Sequence, residues 1–211
     1  MQIQELSSDS RLWQAIVASQ HATTKARASG LHLSQITNDI AATVYPKDFW
    51  YLVRDHDADA KAPPEFDART RATFEAGHVI EESIARIMAA RAGWAKPDPV
   101  QCEGVWCSPD GWQASTRTID EMKATWKSSR DFLQTTKWQL YVWQVLAYMK
   151  AKSATRARIH IMHMNGDYRP PRPEPPKTYI LRPSREEIDG NWLMIKTHAK
   201  DRGWLRQRHV N

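Results

Sequence analysis

The sequence predicts an α/β fold in which a small mixed β-sheet is flanked by helices, with a helical extension at the N-terminus. Two long segments of helical periodicity, 69–92 and 130–152, enclose short alternating segments at 99–125, and further strand patterns follow them. This order of elements is typical of one sheet with helices packed on it, and 211 residues suffice for such a core. We therefore expect an N-terminal helical region at 1–68 packed on a core at 69–211.

The N-terminal region is predicted to be helical and to end in an irregular connection. Residues 9–29 show a helical pattern, and a second helix is expected at 34–44 with Ser34 as its N-cap. The stretch 54–68 is rich in aspartate and contains two adjacent prolines, which indicates a surface connection.

The C-terminal third is predicted to return to strands and then to a helix. Residues 157–164 and 177–183 have strand patterns and are joined by the proline-rich tract 169–176. A final helix is expected to follow Ser184, its N-cap, and to run to about Lys200. Together these segments form a basic hairpin and helix at the end of the core.

The charge is distributed unevenly along the chain. Residues 150–211 contain 14 Lys and Arg against 6 Asp and Glu, whereas residues 1–149 contain 16 against 18. A basic segment beside a mildly acidic body is typical of a protein that binds a polyanion. The alternative is a solvated helix and hairpin rich in lysine and arginine.

Composition excludes several classes of protein. Two cysteines are too few for a disulfide-rich secreted scaffold or for a four-cysteine zinc or iron–sulfur site. No apolar run reaches the ~18 residues of a membrane span, and the N-terminus lacks the pattern of a signal peptide. We therefore expect a soluble cytoplasmic protein with no membrane partner.

One carboxylate of the first long helix is predicted to point inward. Helical periodicity places Glu81 within the apolar arc, whereas Glu82 falls on the opposite side, four residues before Arg86. Burying an ionised carboxylate costs several kcal/mol unless a cation or hydrogen-bond donors meet it. Glu81 is thus a candidate ligand of a cation; the alternative is a hydrogen bond to backbone amides or to an arginine.

Two further acidic candidates, Glu121 and Asp110, lie in the segment of short predicted strands. In a strand at 118–126, Glu121 and Lys123 share one face and Asp120 points the other way. A Glu-X-Lys pattern also occurs by chance, and the alternative is that these two residues form an exposed pair on the surface. Asp110 precedes Gly111, and the alternative for this dipeptide is a hairpin turn.

The second long helix is apolar nearly all round and yet has one polar stripe. A buried polar stripe must face polar partners. The alternative to a functional site is a network of tyrosine and glutamine side chains bonded to the backbone. The stripe consists of Lys137, Tyr141, Gln144 and Tyr148.

These features occur in a fixed order along the chain, which resembles that of the PD-(D/E)XK nuclease superfamily. The order is Gly77-X-X-X-Glu81, Asp110, Glu121-X-Lys123 and Gln144-X-X-X-Tyr148. It is most similar to the branch that contains the RecB nuclease domain, the CRISPR-adaptation exonucleases and the lambda-type exonucleases. The resemblance covers residues 74–150, about a third of the chain.

The sequence departs from some members of that superfamily. Glu81 stands where several relatives have a histidine ligand, and Tyr45 stands where iron–sulfur relatives have a cysteine. Residues 108–211 contain no cysteine, so no iron–sulfur cluster is expected. Pro109 corresponds to the proline of the motif's name.

The resemblance implies a restriction-endonuclease-like core and a metal-dependent deoxyribonuclease. One or two Mg²⁺ or Mn²⁺ ions would be bound, since oxygen ligands suit these ions. The implied metal ligands are the side chains of Glu81, Asp110 and Glu121 and the main-chain carbonyl of Met122. Asp110, Glu121 and Lys123 are the implied catalytic residues, with Lys123 orienting the attacking water or stabilising charge on the phosphate. The implied substrate contacts are Lys137, Tyr141, Gln144 and Tyr148.

The resemblance favours an exonuclease of recombination, repair or phage DNA metabolism, acting in the cytoplasm of a bacterial or phage-infected cell. The alternatives are an endonuclease of the same superfamily and a non-catalytic DNA-binding or assembly protein. The expected partner is DNA, single-stranded or at duplex ends, together with a homo-oligomer or a recombination partner protein. Trp112 or Trp126 would stack on a base if the strands separate. Candidate phosphate contacts are Arg156, Arg158, Lys177, Arg182 and Arg185.

Overall fold

A computed structural model describes residues 30–49, 68–90, 92–164 and 175–205, with the backbone alone for 68–74. The predicted helix at 9–29 and most of the segments 54–68 and 169–176 lie outside the described residues. Within the described part, no helix combines the length and the apolar character that crossing a membrane requires.

The described residues form eight strands and four α-helices. The strands are β1 Leu31–His32, β2 Trp94–Ala95, β3 Val100–Cys102, β4 Val105–Cys107, β5 Gly111–Gln113, β6 Thr118–Thr125, β7 Arg156–His163 and β8 Lys177–Leu181. The helices are α1 Leu33–Val44, α2 Ala68–Ala89, α3 Thr136–Lys152 and α4 Arg185–Asp201, with 3₁₀ turns at Ala114–Thr116 and Phe132–Gln134.

The strands form two mixed sheets. The larger sheet has the order β2-β5-β6-β7-β8, in which β6 and β7 are parallel and the other neighbours are antiparallel. The smaller sheet has the order β1-β4-β3, with β1 parallel to β4 and β3 antiparallel to it. The predicted mixed sheet flanked by helices is therefore confirmed.

The main core lies between one face of β6 and β7 and the helices α1, α3 and α4. Ile119 on β6 and Ile159 and Ile161 on β7 are fully buried there, against side chains such as Val145 of α3 and Ile195 of α4. Full burial of such an aliphatic side chain contributes roughly 1.5–3 kcal/mol. Because Glu121 pairs with Ile159 in the parallel register, the candidate carboxylate lies on this same face, at the edge of the core.

Two of the predicted helix starts differ from the structure. Helix α1 begins at Leu33 with His32 as N-cap and no capping side chain, so the prediction of Ser34 as the cap is wrong. Strand β1 leads directly into α1, and Ser34 is therefore already helical. Helix α3 begins at Thr136 rather than at 130, because Thr135 is the N-cap and its Oγ1 accepts a hydrogen bond from the Trp138 amide at 3.2 Å.

The predicted start of the last helix is confirmed. The Ser184 side chain accepts a hydrogen bond from the Glu187 amide at 3.2 Å, and the Glu187 carboxylate accepts one from the Ser184 amide at 2.7 Å. This reciprocal pair is a capping box, which satisfies two amides that the helix itself leaves without partners.

Candidate functional site

The centre of the site is the pair formed by Glu121 and Lys123 on β6. Lys123 Nζ lies 2.5 Å from Glu121 Oε1, and the Glu121 side chain is only 2% exposed. The other carboxylate oxygen, Glu121 Oε2, is buried and has no hydrogen-bond partner among the described residues. The prediction that these two side chains share a face of the strand is confirmed, and they form a buried pair rather than an exposed one.

Asp110 is held beside this pair by the backbone of β6. The Met122 amide donates a hydrogen bond to Asp110 Oδ2 at 2.8 Å. The carbonyl of a strand residue points to the same side as its own N–H, so the Met122 carbonyl is also directed toward Asp110. The pairing of β5 with β6 ends at Gly111 and Asp120, which leaves this side of Met122 to the Asp110 side chain.

The alternative interpretation of Asp110 and Gly111 as a hairpin turn is wrong. The strands on either side of them, β4 and β5, belong to different sheets and do not pair with each other. The short hairpin in this region joins β3 to β4 through Glu103 and Gly104, both of which have positive φ angles. Asp110 therefore lies on a crossing between two sheets.

Glu81 approaches the site from α2. Its side chain is 32% exposed, and its Oε2 lies 3.8 Å from His78 Nδ1, whereas Glu82 is exposed to solvent. Partial burial raises the pKa of Glu81; the Lys123 ammonium opposes this effect and the Asp110 carboxylate adds to it. The predicted difference between Glu81 and Glu82 is thus present, and Glu81 interacts electrostatically with the other acidic residues.

Burial and mutual repulsion control the charges at the site. Burial, followed by repulsion from Asp110, raises the pKa of Glu121 to about 8, although Lys123 opposes the shift. Burial alone would lower the pKa of Lys123, but the carboxylates of Glu121, Asp110 and Glu81 outweigh it and hold that pKa well above its usual value. Three carboxyl groups therefore act electrostatically on a single firmly protonated ammonium.

The donor chemistry of this cluster fits a hard divalent cation. All three side chains offer oxygen, and Glu121 Oε2 is a buried acceptor that no described residue hydrogen-bonds. Among the described residues, no three His, Cys, Asp or Glu side chains converge closely enough to hold an ion as they stand. Lys123, in contact with Glu121, instead supplies the positive charge.

The polar stripe of α3 is divided between the site and a helix–helix contact. Tyr148 is buried, and burial together with the nearby Glu121 carboxylate raises its pKa well above the usual value, so its hydroxyl stays protonated. Gln144 points instead to α1, where its Nε2 donates to Thr37 Oγ1 at 3.2 Å, and Thr37 in turn donates to the Leu33 carbonyl at 3.1 Å. The structure therefore gives Gln144 a bond between helices that its position in the stripe did not predict.

Two ammonium groups lie near the ring of Tyr141. Its ring centroid is 5.6 Å from Lys123 Nζ and 5.5 Å from Lys137 Nζ. Lys137 also lies 5.8 Å from the centre of the Phe49 ring. Burial, followed by the positive charges of Lys123 and Lys127, lowers the pKa of Lys137 to about 8. A row of positive charges therefore adjoins the acidic cluster.

Comparison with known proteins identifies the type of fold. No protein-family model matches the sequence, and no curated protein matches it. Among solved structures, the protein SSO0001 is similar with a TM-score of 0.54 and 10% identity over 96% of this chain and 90% of that one. A phage-related exonuclease from Haemophilus somnus 129PT gives a TM-score of 0.52 and 15% identity over 81% of this chain and 92% of that one. The alkaline exonuclease LHK-Exo from Laribacter hongkongensis gives a TM-score of 0.50 and 12% identity over 89% of this chain and 91% of that one.

The fold is of the restriction-endonuclease-like type. This confirms the predicted fold class.

One buried acid of this restriction-endonuclease-like fold was not singled out from the sequence. Asp120 is fully buried on the face of β6 opposite Glu121. It accepts hydrogen bonds from Arg158 Nε at 2.6 Å and Nη2 at 2.8 Å, from His160 Nε2 at 3.0 Å and from Trp94 Nε1 at 3.1 Å. Burial raises the pKa of Asp120, but the hydrogen bonds from His160 and Arg158 outweigh it and lower the pKa. Arg158, a predicted phosphate contact, is therefore held by Asp120.

Gly111 allows the Trp94 ring to pack directly on the residue that follows Asp110. A Cβ at Gly111 would lie 2.5 Å from Trp94 Nε1 and 2.6 Å from two ring carbons, closer than side chains approach one another. Trp94 is therefore fixed by Asp120 on β6 and by the Gly111 backbone on β5.

Proposed function

We propose that the protein hydrolyses DNA phosphodiester bonds with the aid of Mg²⁺ or Mn²⁺, as an exonuclease. The observation that supports this most directly is the buried Glu121–Lys123 pair, with Asp110 bonded to the amide of Met122 between them. An acid and an ammonium lie side by side in the interior, and one carboxylate oxygen has no partner within the described part of the chain; this arrangement suits cation binding beside a phosphate.

In this proposal the cation is held by the side chains of Glu81, Asp110 and Glu121 and by the Met122 carbonyl. A bound divalent ion neutralises phosphate charge and makes a water molecule more acidic. The four oxygen groups would fix where the scissile phosphate lies relative to β6. When Glu121 is ionised, three carboxylates act on the single Lys123 ammonium, and this excess of negative charge favours a cation at this position.

Lys123 supplies a fixed positive charge in the same place. Its raised pKa keeps the ammonium protonated at neutral pH, so it can donate hydrogen bonds to the attacking water or to the phosphate oxygens. A preorganised donor of this kind stabilises charge that develops in the transition state without reorganisation.

The substrate backbone would be bound along α3. Lys123 and Lys137 both lie near the Tyr141 ring, and Lys137 and Tyr141 would contact phosphates; the protonated Tyr148 hydroxyl would donate a hydrogen bond beside Glu121. Gln144 remains a proposed substrate contact, but its Nε2 already donates to Thr37, so the rest of its amide would have to make that contact.

The proposed substrate is a DNA end, in recombination, repair or phage DNA metabolism. This assignment draws on two structural neighbours that are named as exonucleases. A homo-oligomer or a recombination partner protein is part of the same proposal, and so is a cytoplasmic location.

A cleavage assay tests the proposal. The protein is incubated with Mg²⁺ or Mn²⁺ and with linear single-stranded, linear duplex or closed-circular DNA, beside Glu121→Gln, Lys123→Ala and the exposed control Glu82→Gln. We expect linear DNA alone to be degraded, and about a 100-fold or greater loss of rate in the two site variants but not in the control. Cutting of circles would indicate an endonuclease. No metal-dependent cleavage, or full activity in both site variants, would refute the assignment.

A further inference from the structure

We propose that Arg156 and Arg117, where the parallel strands β6 and β7 begin, form a second phosphate site for bound DNA, separate from the Glu121–Lys123 pair. The ligand is a backbone phosphate away from the bond that is cut, bound without regard to base sequence. This inference rests on the proposed function, because that function supplies DNA as the ligand.

Arg156 lies on the face of the larger sheet that is turned away from Glu121. In the parallel register Arg156 pairs with Thr118, whereas Ile159 pairs with Glu121. Side chains alternate between the two faces of a sheet, and these two pairs are three residues apart along their strands. A phosphate bound by Arg156 is therefore a different phosphate from the one proposed to lie at Lys123.

The Arg156 guanidinium is anchored but its charge is not cancelled. Its Nε donates to Thr118 Oγ1 at 3.1 Å, and Thr118 Oγ1 lies 2.9 Å from Thr116 Oγ1. Both partners are uncharged, and among the described residues no carboxylate forms an ion pair with Arg156. Because the anchor uses Nε, the two terminal nitrogens are left for a bidentate contact with a phosphate.

Arg158 lies on the same face, two residues further along β7, and differs from Arg156 in this respect. Its Nε and Nη2 both donate to the Asp120 carboxylate, which cancels its charge. Gln113 Oε1 accepts hydrogen bonds from Arg158 Nη2 at 3.3 Å and from Thr116 Oγ1 at 3.1 Å, so this network extends to the anchor of Arg156. Of the two β7 arginines, Arg156 is therefore the one that carries a surplus charge.

Arg117 is held at the same end of the sheet by two contacts with the residues that lead into β7. Its carbonyl accepts a hydrogen bond from the Thr155 amide at 3.1 Å, and its Nη2 donates to the Ser153 carbonyl. Arg117 is exposed, and within the described part of the chain its guanidinium also lacks an acidic partner. Its φ of 47° is left-handed, a conformation that residues other than glycine seldom adopt and that often occurs at ligand sites.

The charge at this end of the sheet is opposite in sign to that of the proposed metal site. Three carboxyl groups act on Lys123, so without a cation that site disfavours phosphates. Lys152 adds a third positive charge next to Ser153, and its Nζ lies 5.4 Å from the centre of the Trp112 ring. Metal-free binding of DNA is therefore expected to depend on Arg156 and Arg117.

The salt dependence of metal-free DNA binding tests this site. Fluorescence anisotropy of labelled single-stranded and duplex DNA is measured in EDTA between about 50 and about 200 mM salt. The wild type is compared with Arg156→Gln, Arg117→Gln and the control Arg185→Gln, whose arginine is 86% exposed and lies 3.6 Å from Asp189 on its own helix. We expect each site variant to bind both DNAs about 3- to 10-fold more weakly. Each should also reduce the slope of log affinity against log salt by about 0.7–0.9, with little change in the control.

The conservative variant Arg156→Lys separates a lost contact from altered folding. It keeps the positive charge, so it should keep the wild-type slope. A slope reduced as far as in Arg156→Gln would show that the substitution acts through the fold, and it would overturn the inference.

The remaining outcomes separate this inference from the proposed function. An unchanged slope in Arg156→Gln overturns the second site, and so does an equal change in Arg185→Gln, since net charge alone would then explain the effect. Because binding is measured without metal or turnover, a protein that cleaves nothing but shows the Arg156 dependence refutes the nuclease proposal and leaves this site standing. Cleavage with an unchanged slope does the reverse.

Discussion

The affinity of the proposed metal site should depend steeply on pH because of Glu121. The pKa of this carboxyl group is raised to about 8, compared with 4.5 for an unperturbed glutamate. Below pH 8 the free protein therefore holds a proton at Glu121, and a cation that uses this oxygen must displace it.

The size of the effect follows from that pKa. Each pH unit well below about 8 lowers the apparent affinity about tenfold, so Mn²⁺ binding at pH 6 should be about 100-fold weaker than on the plateau above the pKa. This difference corresponds to about 2.7 kcal/mol, at 1.36 kcal/mol per unit. Above the pKa, the affinity should level off.

Titration with Mn²⁺ by calorimetry, between pH 6 and pH 9, measures this slope. Glu121→Gln has no proton to displace and should bind weakly with a much flatter pH dependence, whereas Glu82→Gln should retain the wild-type curve. An affinity independent of pH in the wild type, or an unchanged slope in Glu121→Gln, would show that Glu121 is not a ligand.

Three further predictions concern stability and geometry. Asp120→Asn should lower the free energy of unfolding by about 3–5 kcal/mol in a urea titration, because it leaves Arg158 without a buried charge partner; a loss below 1 kcal/mol would contradict this. Gly111→Ala should reduce cleavage and stability because its Cβ collides with Trp94, and adding Trp94→Val should cost less than the sum of the two single changes; strictly additive effects would exclude the contact. In metal-free protein, the contribution of Glu121 to stability should fall as pH rises from about 4.5 to about 8, since the folded state retains the proton that the unfolded chain has lost; thermal melts should show a weaker fall in Glu121→Gln.

Local periodicity was sufficient to predict much of the fold and the orientation of the central pair. Side chains alternate along a strand, so Glu121 and Lys123 had to share a face if 118–126 was extended. Helical spacing separated Glu81 from Glu82 in the same way. The cap at Ser184 followed from a local pattern as well, because a capping box needs only Ser and a Glu three residues later.

The features that sequence analysis missed depend on contacts between distant parts of the chain. Gln144 and Thr37 are separated by 107 residues, and no local pattern indicates that they bond. Asp120 meets Trp94 from one side and Arg158 from the other, and only the order of strands in the sheet brings them together. Likewise, Asp110 could not be distinguished from a turn residue until β4 and β5 were known to lie in different sheets.

Asp120 and Glu121 lie on opposite faces of β6, and this affects how well the strand tolerates insertions and deletions. Shifting a strand by one residue turns every side chain to the opposite face. A single insertion before Asp120 that moved the register would turn Asp120 away from Arg158, and it would also turn both Glu121 and Lys123 away from the site. An insertion within the loop that contains Asp131 would leave both faces of the strand intact. Indel scanning should therefore find β6 far less tolerant of a change in length than of most single substitutions on its surface.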